Sequence, residues 1–255
     1  MKKLKVPVLL SGPILKQSVR NNWKMWVGMT ALICLVAVAM AAIKLPPRAQ
    51  AMSIAGVIGN SLFQGPGMFI FMIFCAVVGN KLVASEIDKG YMSFTLNTPT
   101  TRAQVILSKA LFYLTAILTM TLVMCVVATI AFAAFHTKVS LGTFWAMAGA
   151  FLVFVFAISG ICFAASCWFN KSGHSLLVGV GVPFGFYLLS TLSGVVDQLK
   201  FLKYASINTL LDIDGIVSGA FVPWELGLKL AALFAIGLGL YIFGIVKYLK
   251  KDLPL

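Results

Sequence analysis

The chain has 255 residues, of which 60% are apolar and 11% charged, and its net charge is +13. A soluble domain carries roughly a quarter charged residues, and a core of this size cannot hide so much apolar surface from water. The composition excludes an ordinary soluble enzyme, a disordered chain and a disulfide-rich secreted scaffold. What remains is an all-α, polytopic membrane protein.

The start, Met1-Lys2-Lys3-Leu4-Lys5, imitates the basic end of a signal peptide. Ser11-Gly12-Pro13 then breaks the apolar run, Lys16 and Arg20 arrive early, and no small-residue cleavage site follows. Residues 1–24 read as a retained cytoplasmic tail that ends in an elbow. Pro13 suits a first helical turn. Over 13–26, Leu15, Val19, Trp23 and Trp26 share one helical face, while Lys16, Arg20 and Lys24 recur on the other. This spacing predicts an amphipathic helix lying in the membrane interface, serving as a topological anchor or as a brace for the first span.

Crossing a bilayer takes about 20 apolar residues. Six stretches qualify, at about 25–43, 62–84, 110–135, 143–168, 174–196 and 226–246. An even number puts both termini on one side. Lys and Arg number 14 on that side and 6 on the other. The excess predicts cytoplasmic termini and a multi-pass protein of the plasma membrane. It also explains the net charge without nucleic acid: the basic residues orient helices against an anionic leaflet.

The spans lack the groups that other functions need. Their cores carry no Asp, Glu, Lys or Arg, whereas ion-coupled carriers place paired ionisable residues there. His136 and His174 fall at span edges. No HExxH or Ser/His/Asp grouping lies at intramembrane depth, and GxxxxGK[ST] is missing, so the chain has no nucleotide cradle of its own. No cofactor or metal site is expected. Cys34, Cys75, Cys125, Cys162 and Cys167 all sit in apolar runs without a CxxC pair and read as small packing residues. Gly181 and Gly185, with Pro183 between them, and Ala231, Ala235 and Gly239 form small-xxx-small ladders. Contacts within the chain are the default reading of such ladders, and contacts between chains the alternative.

The loop over 81–109 is the most informative segment. Glu86, Asp88 and Lys89 are followed by Tyr91, Met92, Phe94 and Leu96, apolar groups that a purely solvated loop would avoid. Asn97-Thr98-Pro99 signals a turn, and Thr101-x-x-Gln104 is a capping box that restarts a helix. Helix, turn and helix would present a docking surface. Two readings of the apolar residues stay open: they dock a partner, or they fold back and finish the core. Glu86 is either a solvated helix end or part of an ion pair, with Arg102 or with a partner.

In this loop the sequence resembles the membrane subunits of ABC-2-type ATP-binding-cassette exporters. The matching positions are Glu86, Gly90, Leu96, Pro99, Thr101, Arg102 and Lys109. The tail Lys250-Lys251-Asp252-Leu253-Pro254-Leu255, with Lys203-Tyr204 and Asn208-Thr209-Leu210, is similar to a Gram-positive branch that includes phenol-soluble-modulin (peptide toxin) exporter permeases. The resemblance implies a single transmembrane domain over 1–255. It implies pairing with a second permease copy or paralogue, and a separate ATPase that holds ATP and Mg. The loop would then be a coupling helix, using Glu86, Asp88, Gly90, Tyr91, Phe94, Leu96, Pro99, Thr101 and Arg102, with Lys171 as a second contact. The segment 197–225 would be an extracellular re-entrant element before the last span. The exported substrate would be hydrophobic or amphipathic. A sensor or immunity subunit that only binds an ATPase is the competing class.

Overall fold

Breakers and caps decide where this apolar chain stops and starts its helices. The computed structural model describes residues 10–43, 54–92, 100–135, 140–195, 206–218 and 223–251. In chain order the α-helices are α1 (Gly12–Ala41), α2 (Ile54–Gln64), α3 (Pro66–Leu82), α4 (Ala84–Asp88), α5 (Arg102–Phe135), α6 (Leu141–Trp168) and α7 (Ser172–Val195). A 3₁₀ turn (Ile207–Leu210), α8 (Ile213–Ser218) and α9 (Pro223–Lys250) complete the order. Among the described residues, six helical stretches are long and apolar enough to span a membrane. The all-α, six-span architecture is as expected from the sequence.

Helix α6 lies at the centre. It packs against α2, α3, α5, α7, α8 and α9, with the α6–α9 contact the most extensive. Helix α1 packs chiefly along α5. Hydroxyls inside the spans satisfy themselves locally: Thr30, Thr121 and Thr129 donate to the carbonyls of Trp26, Ile117 and Cys125, four residues back.

Two boundaries differ from expectation. The junction between an interfacial helix over 13–26 and a first span from 25 is absent, because α1 runs unbroken from Gly12 to Ala41. The physical reason is that no proline lies between Pro13 and Ala41, and a lone Gly28 weakens a helix without ending it. Thirty residues of helix extend about 45 Å, longer than the roughly 30 Å hydrocarbon layer. Lys16, Arg20, Trp23 and Lys24 are all exposed and Trp26 is half-buried. The fully buried stripe is Ile14, Ser18 and Asn22, and of the aromatic face only Leu15 and Trp26 pack against the core. The second span differs too. Gly65 and Pro66 divide it into α2 and α3, since Pro66 has no N–H to continue the ladder.

The small-residue ladders are also placed differently. A Cβ on Gly181, Gly185 or Gly239 would meet nothing within 4 Å, and Ala231 and Ala235 are exposed. The close approach is made elsewhere, where α6 crosses α9. A Cβ on Gly160 would lie 3.0 Å from the Gly237 carbonyl oxygen, and one on Gly237 would lie 2.6 Å from the Phe156 ring. Leu233, Tyr241 and Tyr248 are buried along the same stripe of α9. Gly237→Ala is therefore expected to lose about 1–3 kcal/mol by overpacking, whereas Gly239→Ala should leave the melting temperature of the solubilised protein unchanged. Equal losses in the two variants would show that α9 packs in another register.

Pro183 leaves the Gly179 carbonyl without its helical donor. The Cys162 thiol of α6 donates to that oxygen at 3.3 Å, so the proline costs the α6–α7 contact no unsatisfied acceptor. Of the segment 197–225, residues 206–218 and 223–225 are described, the latter already in α9. The 3₁₀ turn touches α7 and α9, while α8 touches α2 and α6. Ile213 and Ile216 are buried, the Ser206 hydroxyl donates to the Phe186 carbonyl at 2.7 Å, and Lys229 of α9 donates to Asp212 at 2.6 Å. The non-spanning backbone is thus held against protein, as an apolar environment requires.

Candidate functional site

The ends of α3, α5, α6, α7 and α9 converge at one end of the bundle, and most of the residues singled out in the sequence lie there. At the end of α3 the chain leaves helical geometry at Val83 (φ −129°, ψ −67°) and restarts as α4. The Ala84 amide donates to the Ser166 hydroxyl at 3.0 Å, which ties this bend to α6. Helix α4 stops because Gly90 takes a φ of +72°, a left-handed conformation that only glycine adopts at no steric cost.

Glu86 projects from α4 to Lys109 on α5. The Lys109 ammonium donates to Glu86 Oε2 at 2.5 Å and to the Leu82 carbonyl at 2.6 Å. Lys109 is only 2% exposed, so its charge depends on these two acceptors. The partner of Glu86 is therefore Lys109 and not Arg102. The loop expected to run to 109 needs correction: α5 begins at Arg102, so this lysine lies inside the helix, ahead of the charge-free stretch from 110.

Asp88, two residues further, accepts from the Ser172 amide at 3.1 Å at the start of α7. A carboxylate suits the positive end of a 24-residue helix. Asn80 donates to the Ser172 hydroxyl at 2.7 Å. These bonds bring the Asp88–Tyr91 stretch and the exposed Asn170–Lys171 turn onto one surface. Tyr91 is 58% exposed there. Its neighbour Met92 does the opposite: it is buried, and the Tyr248 hydroxyl donates to its sulfur at 3.3 Å. The two readings of the loop's apolar residues thus both hold, for different residues.

The capping box forms in both directions. The Thr101 amide donates to Gln104 Oε1 at 2.9 Å, and the Gln104 amide donates to the Thr101 hydroxyl at 3.2 Å. Arg102 then donates to the Lys251 carbonyl at 3.1 Å. The Lys251 ammonium in turn donates to the carbonyls of Cys167 and Trp168 at the end of α6, at 3.1 and 3.0 Å. A cation suits that negative helix terminus. Burial lowers the pKa of Lys251 from its ordinary value, and the Lys247 charge adds to the effect. Phe94, Leu96 and Pro99 lie outside the described residues.

The surface therefore gathers Glu86, Asp88, Gly90, Tyr91, Thr101, Arg102 and Lys171. Its supports Asn80, Ser166, Ser172 and Lys251 were not legible as such, because serines and asparagines at helix ends are common. Lys109 had a signal: it is the lone charge between Arg102 and Lys138, and an isolated lysine in an apolar helix calls for a buried partner. Among the described residues no group of three His, Cys, Asp or Glu side chains is placed to hold a metal ion.

Residues 48–221, more than half of the chain, match the family model described as ABC-2 family transporter protein. The chain belongs to the ABC-2 transporter family. It is a permease subunit of an ABC transporter, and the matched domain is the membrane component, distinct from the ATPase cassette. No curated protein matches the chain significantly. The matched region includes the 81–109 loop and the Asn170–Ser172 turn, and it ends before α9 of the permease.

Proposed function

We propose that this permease is the membrane half of an ATP-driven exporter. A separate ATPase, holding ATP and Mg, docks on the surface formed by Asp88–Tyr91 and Lys171, and two permease copies or paralogues pair in the membrane. The observation that carries the reading is the Asp88–Ser172 bond, which joins the loop after the second span to the turn after the fourth span beside an exposed Tyr91. Closure of the ATPases would press on both at once and rock α3 against α6 and α7. Both termini are cytoplasmic in this reading, in line with the distribution of Lys and Arg. The substrate is a hydrophobic or amphipathic molecule, with a peptide toxin as the class indicated by the tail resemblance.

The test is pull-down of the full chain from solubilised membranes, followed by reconstitution. An ATPase should copurify, and ATP should drive efflux of amphipathic peptide from vesicles. A clean monomer that never retains an ATPase would sink the proposal. A complex that hydrolyses ATP yet moves nothing would assign the chain to sensing or immunity instead.

A further inference from the structure

Two recesses that the docking surface does not use lie side by side near the C-terminal end of α9. One, of about 440 Å³, is lined by Trp168, Phe243, Val246, Lys247, Lys250 and Lys251. The other, of about 220 Å³, shares Trp168 and Phe243 with it and continues as an apolar slot past Ala165, Ala164 and Ile161 of α6, Val178 of α7 and Leu240 of α9. Together they make one groove between α7 and α9, floored by α6. From Ile161 to Trp168 the slot follows α6 for about 10 Å.

The charges at the wide end are in excess. Lys251 is committed to the α6 carbonyls. Lys247 lies 4.0 Å from the centre of the Trp168 ring. The ion pairs formed among the described residues, Glu86–Lys109 and Asp212–Lys229, engage neither Lys247 nor Lys250. A free anion would satisfy these lysines but leave the slot without an occupant. A neutral lipid would fill the slot but leave the lysines without a partner. A ligand with an anionic head and an acyl chain answers both, and Trp168, stacked on Phe243 between them, is the amphipathic ring expected at such a boundary.

We propose that the groove between α7 and α9 is a binding site for an anionic phospholipid, with its phosphate at Lys247 and Lys250 and the first part of one acyl chain along Ala164 and Ala165. The groove adjoins the docking surface, with Lys251 shared between them, but lipid binding to it needs no ATPase.

Native mass spectrometry of the purified full chain, titrated in parallel with phosphatidylglycerol, phosphatidylcholine and glycerol phosphate, tests this. Phosphatidylglycerol should be retained well above phosphatidylcholine, and glycerol phosphate should not be retained. Lys247→Gln combined with Lys250→Gln should weaken retention about thirtyfold, from roughly fivefold per surface lysine. Equal retention of the two lipids, glycerol phosphate binding as tightly as phosphatidylglycerol, or an unchanged affinity in the double lysine variant would each overturn the proposal.

Discussion

Lys109→Met is expected to destabilise the permease by about 3–5 kcal/mol, the usual result of breaking a buried ion pair by removing one partner. The side chain is buried and holds two acceptors at once, Glu86 Oε2 and the Leu82 carbonyl. Leu82 closes α3, so its carbonyl has no helical donor to replace the ammonium. Glu86 would be left partly buried and unpaired. Glu86→Ala should cost less, because Lys109 keeps the Leu82 carbonyl. Changing both residues, Glu86→Met with Lys109→Met, should recover part of the loss, since a well-packed apolar pair often matches a buried ionic one. Thermal unfolding of the solubilised protein, read by size-exclusion profile, measures all three variants. A Lys109→Met protein that melts with the wild type would show that water reaches the pair.

The pair also shows how far the sequence could be read. Span number, helix class and the capping box at Thr101 were legible because each rests on a local pattern: an apolar run of sufficient length, or two side chains three residues apart. The capping box predicts the α5 boundary, whereas the charges cease only at 110. Hydropathy marks the lipid-facing stretch of a helix and not its end, so it leaves the buried Lys109 in the loop. In α1 the same limit acts in reverse. The alternation of Trp and Lys identifies an exposed basic face and a face that packs only at Leu15 and Trp26, whereas the fully buried stripe contains Ser18 and Asn22, which no apolar pattern selects. The small-residue ladders make no close contact within the chain, for a further reason. Glycine in a membrane helix is common on open faces, and only the facing residue, such as Phe156 opposite Gly237, reveals a close approach.

Tyr91→Ala should leave the permease folded and inserted, yet weaken its complex with the ATPase by about thirtyfold or more, the effect of truncating an aromatic hot spot worth about 2 kcal/mol. The turn at Gly90 and the burial of Met92 beneath Tyr248 hold the intervening residue outward. An aromatic ring exposed between two anchored neighbours is already ordered, so a partner that covers it gains apolar burial at little cost in conformational freedom. Met92→Ala provides the contrast: it removes a buried side chain and should lower stability by about 2–5 kcal/mol before any effect on coupling is read. Pull-down with the partner ATPase and a melting curve on the same preparation separate the two outcomes. If Tyr91→Ala lowers the melting temperature as Met92→Ala does, the ring belongs to the core. If it changes neither stability nor ATPase retention, the docking surface has been placed on the wrong residues, and the Asn170–Lys171 turn becomes the first place to look.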